Sequence, residues 1–437
     1  MPNKNIISIK ADPTKNFFID MLTRDISLID CILDLIDNSI DGIIKKTGFN
    51  PMRGLFYKKK ILNEYEIAIN FNGQEFVIND NSGGMKRDEI KDHAFRFGVE
   101  AEKNRKKGLS VYGIGMKRAF LKIGKNIFFE STDNKNTTSV KIDVNKWINE
   151  RGDWVFSGEV MEKKKNIKPG TKIKITNLNE QVSFNFSNNS FRNKLSERIG
   201  EVHGIFISNG LTIKIDNKKI EALIPNIATS KDLKPAIDTF EKDGVKVKII
   251  AGVSHEKYKE MNGWYIFCNG RLILSSDKTE KTGWGVGVRR FHPSTNRFVG
   301  FVYFESDDVT TLPWTTTKDG VNIDSTLYQY VLKEMVKIAK PIIAFLVRQY
   351  GYDPSMEEFR KLLKQTKEVS LEELAINKQN FKAPSVLIDE TSKKKTKISY
   401  SVPKSDMEII KKIRKNESMS NSEIGKMTFY YYIKYEK

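Results

Sequence analysis

Apolar positions recur so densely over residues 24–46 that they wrap most of a helix. Ile26, Ile29, Ile32, Leu33, Leu35, Ile36, Ile40 and Ile43 cover the greater part of its circumference. Thr23 or Asp25 is placed to cap its start. One strip escapes the apolar pattern. Asp34, Asp37, Asn38 and Asp41 stand at i, i+3, i+4 and i+7, within ~100° of arc. Period-two alternation follows: EYEIAINF and EFVINDNSGGM read as a strand pair joined at Asn72–Gly73. A basic, glycine-containing stretch from Lys86 to Gly108 leads to SVYGIGMKRAFLKIG, a loop entering a helix. NIFFEST, TTSVKIDV, DWVFSGEVM and TKIKITNL continue as strands, FRNKLSERIGEVHGIFI as a helix, and LTIKIDNKKI as a strand or hairpin.

Between 226 and 325 the pattern is again strands, including VKVKIIAGVS, WYIFCNGRLILSS and FVGFVYFES. Residues 326–350 form an apolar-faced helix in which Pro341 predicts a kink or break. Residues 353–392 are charged, with weak helices and a linker at NKQNFKAPSV. In the tail, 393–437, KTKISYSVPK alternates polar and apolar residues. SDMEIIKKIRKN then reads as a helix capped by Ser405 or Asp406, and SNSEIGKMTFYYYIKY as one capped by Ser420 or Ser422.

Composition excludes several classes. A chain of 437 residues accommodates two or three domains at ~150 residues each. No run approaches the ~20 apolar residues of a membrane helix. Aromatics at 11% are too many for an extended disordered chain. Cys31 and Cys268 cannot build a disulfide framework or complete a zinc site alone. His93, His203, His255 and His292 lie at no metal-ligand spacing. MPNKNIISIK lacks the apolar core of a secretory signal, so a soluble, reduced, cytoplasmic protein is the expectation. The net charge of +19 points to a polyanionic partner or to a bias toward lysine. The tail, counted from residue 391, holds twelve basic against five acidic residues.

The acidic strip sharpens this picture. A solvated helix face mixes charge signs, yet this strip has three carboxylates, one amide and no cation in a chain with 74 basic residues. Such oxygen donors suit a hard cation such as Mg²⁺. Three further signals are weak one by one. Asp80-Asn-Ser-Gly-Gly84 ends a strand in an acid and a flexible turn, which is also ordinary hairpin chemistry. Gly108 to Lys117 brings Gly113 and Gly115 to a helix start, where backbone N–H groups favour phosphate and Lys117 adds charge. Gly170-Thr171 opens a strand. Gly283-Trp-Gly285-Val-Gly287 imitates a phosphate loop but precedes Arg289–Arg290 and no evident helix, so it reads as a turn.

In this order and spacing, DLIDNSIDG, INDNSGGM, YGIGMK and GT resemble the four motifs of the GHKL ATPase superfamily. That superfamily includes type II topoisomerase ATPase subunits, MutL, MORC-type ATPases, the ninety-kilodalton heat-shock chaperones and sensor histidine kinases. The resemblance covers residues 20–180 and implies an α+β chain built on a Bergerat-type α/β sandwich. It implies ATP and Mg²⁺ as ligands. Asn38 would bind Mg²⁺, and Asp34 would be the general base. Asp80 would accept from the adenine amino group with Thr171 assisting, and Gly84 would let the base lie on the backbone. Gly113, Gly115 and Lys117 would clasp the phosphates beneath a lid of residues 86–112. Two departures stand out. Asp34 replaces the usual Glu and is one methylene shorter, and Ser82 stands where the first glycine of D-x-G-x-G usually sits.

Two later segments carry further resemblances. LPWTTTKDGVN, with the N-G-R of WYIFCNGRLIL, looks like the switch-lysine loop of the transducer domain in MutL, gyrase-like and MORC-type ATPases. Lys318 would then reach the γ-phosphate; otherwise it is a surface lysine in a polar loop. The tail resembles a ribbon-helix-helix module, with Ile398, Tyr400 and Val402 toward its core and Lys397, Ser399 and Ser401 outward. In that fold strands from two chains pair and enter the major groove of DNA; a plain dimerising appendage is the alternative. The expected organisation is an ATPase domain at 1–225, a transducer-like domain at 226–352, a charged linker at 353–392 and the ribbon-helix-helix-like module at 393–437. The expected function is Mg²⁺-dependent ATP binding and slow hydrolysis that drive a homodimeric clamp on DNA, with no membrane partner. The alternatives are an ATP-switched regulatory module with little hydrolysis and a chaperone-like ATPase.

Overall fold

A computed structural model describes residues 13–54, 60–98, 108–110, 113–150, 154–254, 261–349, 361, 363–369, 374, 377–383, 398–414 and 417–435. The chain divides into two compact units, Met1–Ile388 and Asp389–Lys437.

The first unit opens with α1 (Lys15–Thr23) and α2 (Leu28–Thr47). The α2 helix starts later than Thr23 or Asp25 predicts, because Ser27 takes the cap. Its Oγ accepts the Asp30 N–H at 3.0 Å, and Asp30 adds a favourable charge to the first turn. Gly48 ends the helix at φ +66° and returns its N–H to the Ile44 carbonyl. Between these caps the helix is buried nearly all round, so its polar strip faces protein rather than solvent.

Among the described residues, eight strands form one sheet: β1 (Glu66–Phe71), β2 (Glu75–Asp80), β3 (Gly124–Thr132), β4 (Asn136–Asp143), β5 (Gly158–Glu162), β6 (Gly170–Leu178), β7 (Thr212–Ile215) and β8 (Lys218–Lys219). Their order is β5-β4-β3-β6-β2-β1-β7-β8, antiparallel throughout except for the β1–β7 pair. Helices α2, α3 (Gly115–Ile123) and α4 (Asn189–Val202) join Ile69, Phe76, Ile78, Phe129 and Ile175 in one apolar core. Each such side chain contributes roughly 1.5–3 kcal/mol on burial. This is a mixed α/β layer with an antiparallel-rich sheet.

Beyond β9 (Ile227–Thr229), a second sheet comprises β10 (Ala236–Lys242), β11 (Val245–Val253), β12 (Gly263–Cys268), β13 (Arg271–Asp277) and β14 (Phe298–Glu305). Its order is β10-β11-β14-β12-β13, with β12 and β14 parallel. Helix α5 (Thr326–Arg348) packs against it and runs unbroken through Pro341, contrary to the sequence expectation. The Asn269–Gly270 turn between β12 and β13 points into the first layer. An ideal Cβ on Gly270 would lie 2.5 Å from Pro51, and the Asn269 amide donates to the Gly108 carbonyl at 3.1 Å. A shared apolar cluster of Ile205, Ile250, Phe267 and Phe301 joins the two layers into one unit.

The described part of 353–392 is packed rather than free. Strand β15 (Lys367–Val369) pairs with β9, Gln379 and Lys382 bridge to Ile237 and Lys234, and Leu363, Val369, Leu374 and Ala383 are buried. These apolar residues follow no period, so the sequence reads as a linker. Gly283–Gly287 is a turn region between β13 and β14, as its sequence predicts.

In the second unit, residues 398–403 form no strand, while α6 (Lys404–Ile413) and α7 (Asn421–Tyr435) are helical. Neither Ser405 nor Asp406 caps α6, whose first turn follows Pro403. Ser420 caps α7 reciprocally: its Oγ accepts the Glu423 N–H at 3.3 Å, and Glu423 accepts the Ser420 N–H at 2.7 Å. Ile424 is buried, whereas Ile398, Tyr400, Val402, Ile409 and Ile413 are exposed.

Candidate functional site

Five charged side chains meet behind the polar strip of α2. Asp34 and Asp37 come from α2 itself, Arg118 from α3, Arg271 from the start of β13, and Lys318 from the loop between β14 and α5. Arg118 Nη2 donates to Asp34 at 2.6 Å. Arg271 Nε reaches both oxygens of Asp37, at 3.0 and 3.1 Å, and its Nη1 donates to the Lys318 carbonyl at 2.6 Å. Lys318 Nζ lies 2.7 Å from Asp37 and 3.4 Å from Asp34. His203, where α4 ends, places Nε2 at 2.9 Å from Asp37. Burial favours the protonated form of Asp37, but Arg271, Lys318 and the His203 hydrogen bond outweigh it and hold the carboxyl well below the usual range. Burial lowers the His203 ring below its ordinary 6.5 despite Asp37, so the ring is neutral and donates Nε2–H.

One turn along, Asp41 accepts the N–H groups of Leu109 and Ser110, at 2.5 and 2.9 Å, and so ties the end of the glycine segment to α2. Burial pushes the Asp41 carboxyl up to about 6, against those hydrogen bonds. Asn38 Oδ1 accepts from Ser110 Oγ at 2.8 Å, while its buried Nδ2 has no hydrogen-bond partner. Gly113 adopts φ +62°, and Gly115 opens α3 so close to α2 that an ideal Cβ would sit 3.0 Å from the Asp34 carboxyl. Much of the expected lid, residues 99–107 and 111–112, lies outside the described residues.

Asp80, at the end of β2, is held by four donors. Its Oδ1 accepts Ser82 N–H at 2.9 Å, Ser82 Oγ at 2.6 Å and Thr171 N–H at 3.1 Å, and its Oδ2 accepts Ser39 Oγ at 2.6 Å. Ser39 follows Asn38, so α2 joins this carboxylate to the charged cluster. The turn explains how Ser82 is tolerated: the left-handed residues are Gly83 and Gly84, at φ +112° and +68°. An ideal Cβ on Gly84 would fall 1.9 Å from the Thr132 carbonyl oxygen, so only glycine fits. Thr171 meets Asp80 through its backbone, and its hydroxyl pairs with Ser131 Oγ at 3.0 Å.

The structure therefore joins Asp34, Asn38, Gly115 and Lys318, and sets Asp80, Gly84 and Thr171 beside them. It does not bring Lys117 to them. That amine donates to the Ala94 carbonyl at 3.0 Å in a pocket lined by Phe95, Phe97 and Trp147, where burial lowers it to about 8. Sequence reasoning missed Arg118, Arg271 and His203. Arg271 is the arginine of N-G-R, and Arg118 follows Lys117. In the sequence His203 shows only that it lies at no metal-ligand spacing.

Residues 26–180 match the family described as histidine kinase-, DNA gyrase B-, and HSP90-like ATPase. The match supports a GHKL-type ATPase domain over that stretch, which suggests ATP binding. It contains Asp34, Asn38, Asp80, Gly84, Gly113, Gly115, Lys117 and Thr171; Arg271 and Lys318 lie outside it. The chain matches no curated protein. No helix among the described residues is long and apolar enough to cross a membrane.

Proposed function

We propose that this chain binds ATP with Mg²⁺ against α2, the Gly83–Gly84 turn and the start of α3, hydrolyses it slowly, and thereby opens and closes a homodimeric clamp on DNA. The observation that carries the reading is a single helix. Through Asp34, Asn38 and Ser39, α2 links a carboxylate base candidate, an amide donor and the Asp80 acceptor, beside glycines whose neighbours forbid a side chain.

The residues fit a Mg²⁺-bound triphosphate. Asn38 offers an amide oxygen and a buried NH₂ still without a partner. No cluster of three His, Cys, Asp or Glu able to hold a metal occurs among the described residues. Asn38 would hold the cation, whose other ligands would come from phosphate and water, the usual habit of Mg²⁺. When bound, Mg²⁺ neutralises charge that develops in phosphoryl transfer. Asp34 orients the attacking water and accepts its proton. Lys318 meets the terminal phosphate. Asp80, held in place by the Ser39, Ser82 and Thr171 donors, accepts from the base's exocyclic amine. Gly113 and Gly115 admit phosphate to the backbone N–H groups at the start of α3. Lys117 joins them only by leaving the Ala94 carbonyl.

DNA as cargo is supported by the net charge of +19 and the basic tail. The homodimer is supported by the exposed Ile398, Tyr400, Val402, Ile409 and Ile413. Free, buried Cys31 and Cys268 suit the cytoplasm. One observation favours a regulatory module with little turnover: both Asp34 oxygens already face cations. Calorimetry with Mg·ATP tests the site. Wild type binds, while Asn38→Ala and Asp80→Asn each weaken binding at least about tenfold. Absence of binding by wild type, or equal affinity in all three proteins, contradicts the assignment.

A further inference from the structure

The described end of the expected lid, Gly108 to Ser110, is gripped from both layers. On α2, Asp41 accepts the N–H groups of Leu109 and Ser110, and Leu109 itself is fully buried. An ideal Cβ on Gly108 would lie 2.9 Å from the Asp41 carboxylate, so glycine lets the chain come this close. From the β12–β13 turn, buried Asn269 donates Nδ2 to the Gly108 carbonyl at 3.1 Å and to the Ser306 carbonyl at 3.0 Å. Its Oδ1 accepts the Ser306 N–H at 3.1 Å. Asp41 and Asn269 thus hold the backbone without any help from the Ser110 side chain.

That side chain is nevertheless placed with care. Ser110 is exposed, and its Oγ lies 2.8 Å from Asn38 Oδ1. A hydrogen bond at an exposed hydroxyl contributes little to the fold, because water replaces it when it breaks. Asn38 Nδ2, in contrast, is buried without a hydrogen-bond partner. A buried polar group left in this way points to a ligand rather than to the fold.

We propose that Ser110 Oγ is a second protein ligand for the Mg²⁺ of Mg·ATP, beside Asn38 Oδ1. The proposal rests on the ATP reading above and replaces one of its water ligands with this hydroxyl. Neighbouring ligands of an octahedral Mg²⁺, each roughly 2.0–2.1 Å from the ion, lie about 2.9 Å apart. The two oxygens already stand at that spacing. Serine and threonine hydroxyls hold Mg²⁺ in other phosphate sites. The Ser110 hydroxyl now gives its hydrogen to Asn38. It need only rotate to give that hydrogen to a phosphate oxygen and leave a lone pair for the cation. Asp41 and Asn269 are positioning residues in this scheme.

The full-length chain is titrated with a non-hydrolysable ATP analogue in Mg²⁺, in Cd²⁺ and in EDTA, so that the affinity gained from each cation is measured. Wild type gains affinity from Mg²⁺. Ser110→Ala keeps its affinity in EDTA within about twofold but loses about tenfold of the gain from Mg²⁺. Ser110→Thr, which keeps the hydroxyl, retains the gain. Ser110→Cys loses it, yet gains at least about fivefold more from Cd²⁺ than wild type does, because a soft sulfur ligand favours a soft cation. A serine that only steadies the lid would weaken binding in EDTA and in Mg²⁺ alike, and its cysteine variant would show no advantage in Cd²⁺; that result overturns the proposal. An undiminished gain from Mg²⁺ in Ser110→Ala overturns it too, and leaves Asn38 and the ATP reading intact. Failure of wild type to bind the analogue in any of the three solutions removes the ATP reading itself, and the role of Ser110 with it.

Discussion

Arg118 donates to the carboxylate of Asp34 at 2.6 Å, and both side chains are almost wholly enclosed by protein. This clamp fixes a carboxylate one methylene shorter than the glutamate that the resemblance to GHKL ATPases implies at this position. Gly115 leaves room beside this carboxyl, from which an ideal Cβ would lie 3.0 Å, and Arg118 holds it in place. Removing Arg118 leaves the buried Asp34 charge to Lys318 alone. Because Lys318 still faces the other Asp34 oxygen at 3.4 Å, Arg118→Ala should cost about 3 kcal/mol in urea unfolding, the low end for breaking a buried pair, and Arg118→Met a similar amount. A loss below about 1 kcal/mol in both would mean that the pair is solvated.

Two glycines separate backbone strain from steric clash. Gly48 and Gly84 adopt nearly the same left-handed φ, +66° and +68°. A Cβ on Gly48 meets open space, whereas one on Gly84 meets the Thr132 carbonyl oxygen at 1.9 Å. Gly48→Ala should cost about 1–2 kcal/mol, the penalty of the left-handed region alone. Gly84→Ala must also displace β3 or the turn, so it should cost several times more and abolish nucleotide binding. Equal unfolding midpoints for the two variants would refute this.

The pH dependence of stability has a defined sign. The folded His203 ring titrates below its ordinary 6.5. As pH falls below 6.5 the unfolded chain takes up a proton that the folded chain refuses, so stability decreases. Asp37 acts further into acid: its folded carboxyl lies below the ordinary 3.8, and its contribution, present above 3.8, is lost as pH drops toward the folded value. Urea midpoints should therefore start to decline below pH 6.5, with the loss partly offset between about pH 6 and 4 by Asp41, whose raised carboxyl takes up a proton in the folded chain first, and fall steeply below about pH 4. His203→Gln should flatten the upper part of that decline and retain the lower. An unchanged profile would show that His203 does not titrate differently on folding.

Much of the site was legible in the sequence because its parts are local. The strip on α2, the Asp80 turn and the glycine run each occupy fewer than about ten residues, and their spacing alone places them on a helix, a strand end and a helix start. Partners brought by tertiary folding left no such trace. His203 and Arg271 stand 166 and 234 residues from Asp37, in segments whose periodicity reports only a helix and a strand. Ser82 looked like an obstacle because the sequence does not say which turn residues take positive φ; they are Gly83 and Gly84. Residues 361–383 read as linker because single apolar residues such as Leu363 and Leu374 are buried without a repeating pattern.

The tail permits a separable test, since Asp389–Lys437 is a compact unit of its own. Removing it should leave the thermal transition of the remaining chain unchanged within about 2 °C. The same deletion should convert a dimer to a monomer in sedimentation and reduce the salt-dependent component of DNA binding. A truncated chain that remains dimeric would assign the interface to the first unit.

The central claim is that α2 carries an ATP-hydrolysing site with Asp34 as its base. Phosphate release from Mg·ATP by full-length wild type and Asp34→Asn, with nucleotide affinity measured in parallel, tests it most directly. Wild type should turn over, and Asp34→Asn should bind ATP within about threefold of wild type while releasing phosphate at least about 100-fold more slowly. Equal rates in the two proteins, or no turnover by a wild type that binds ATP tightly, would contradict it.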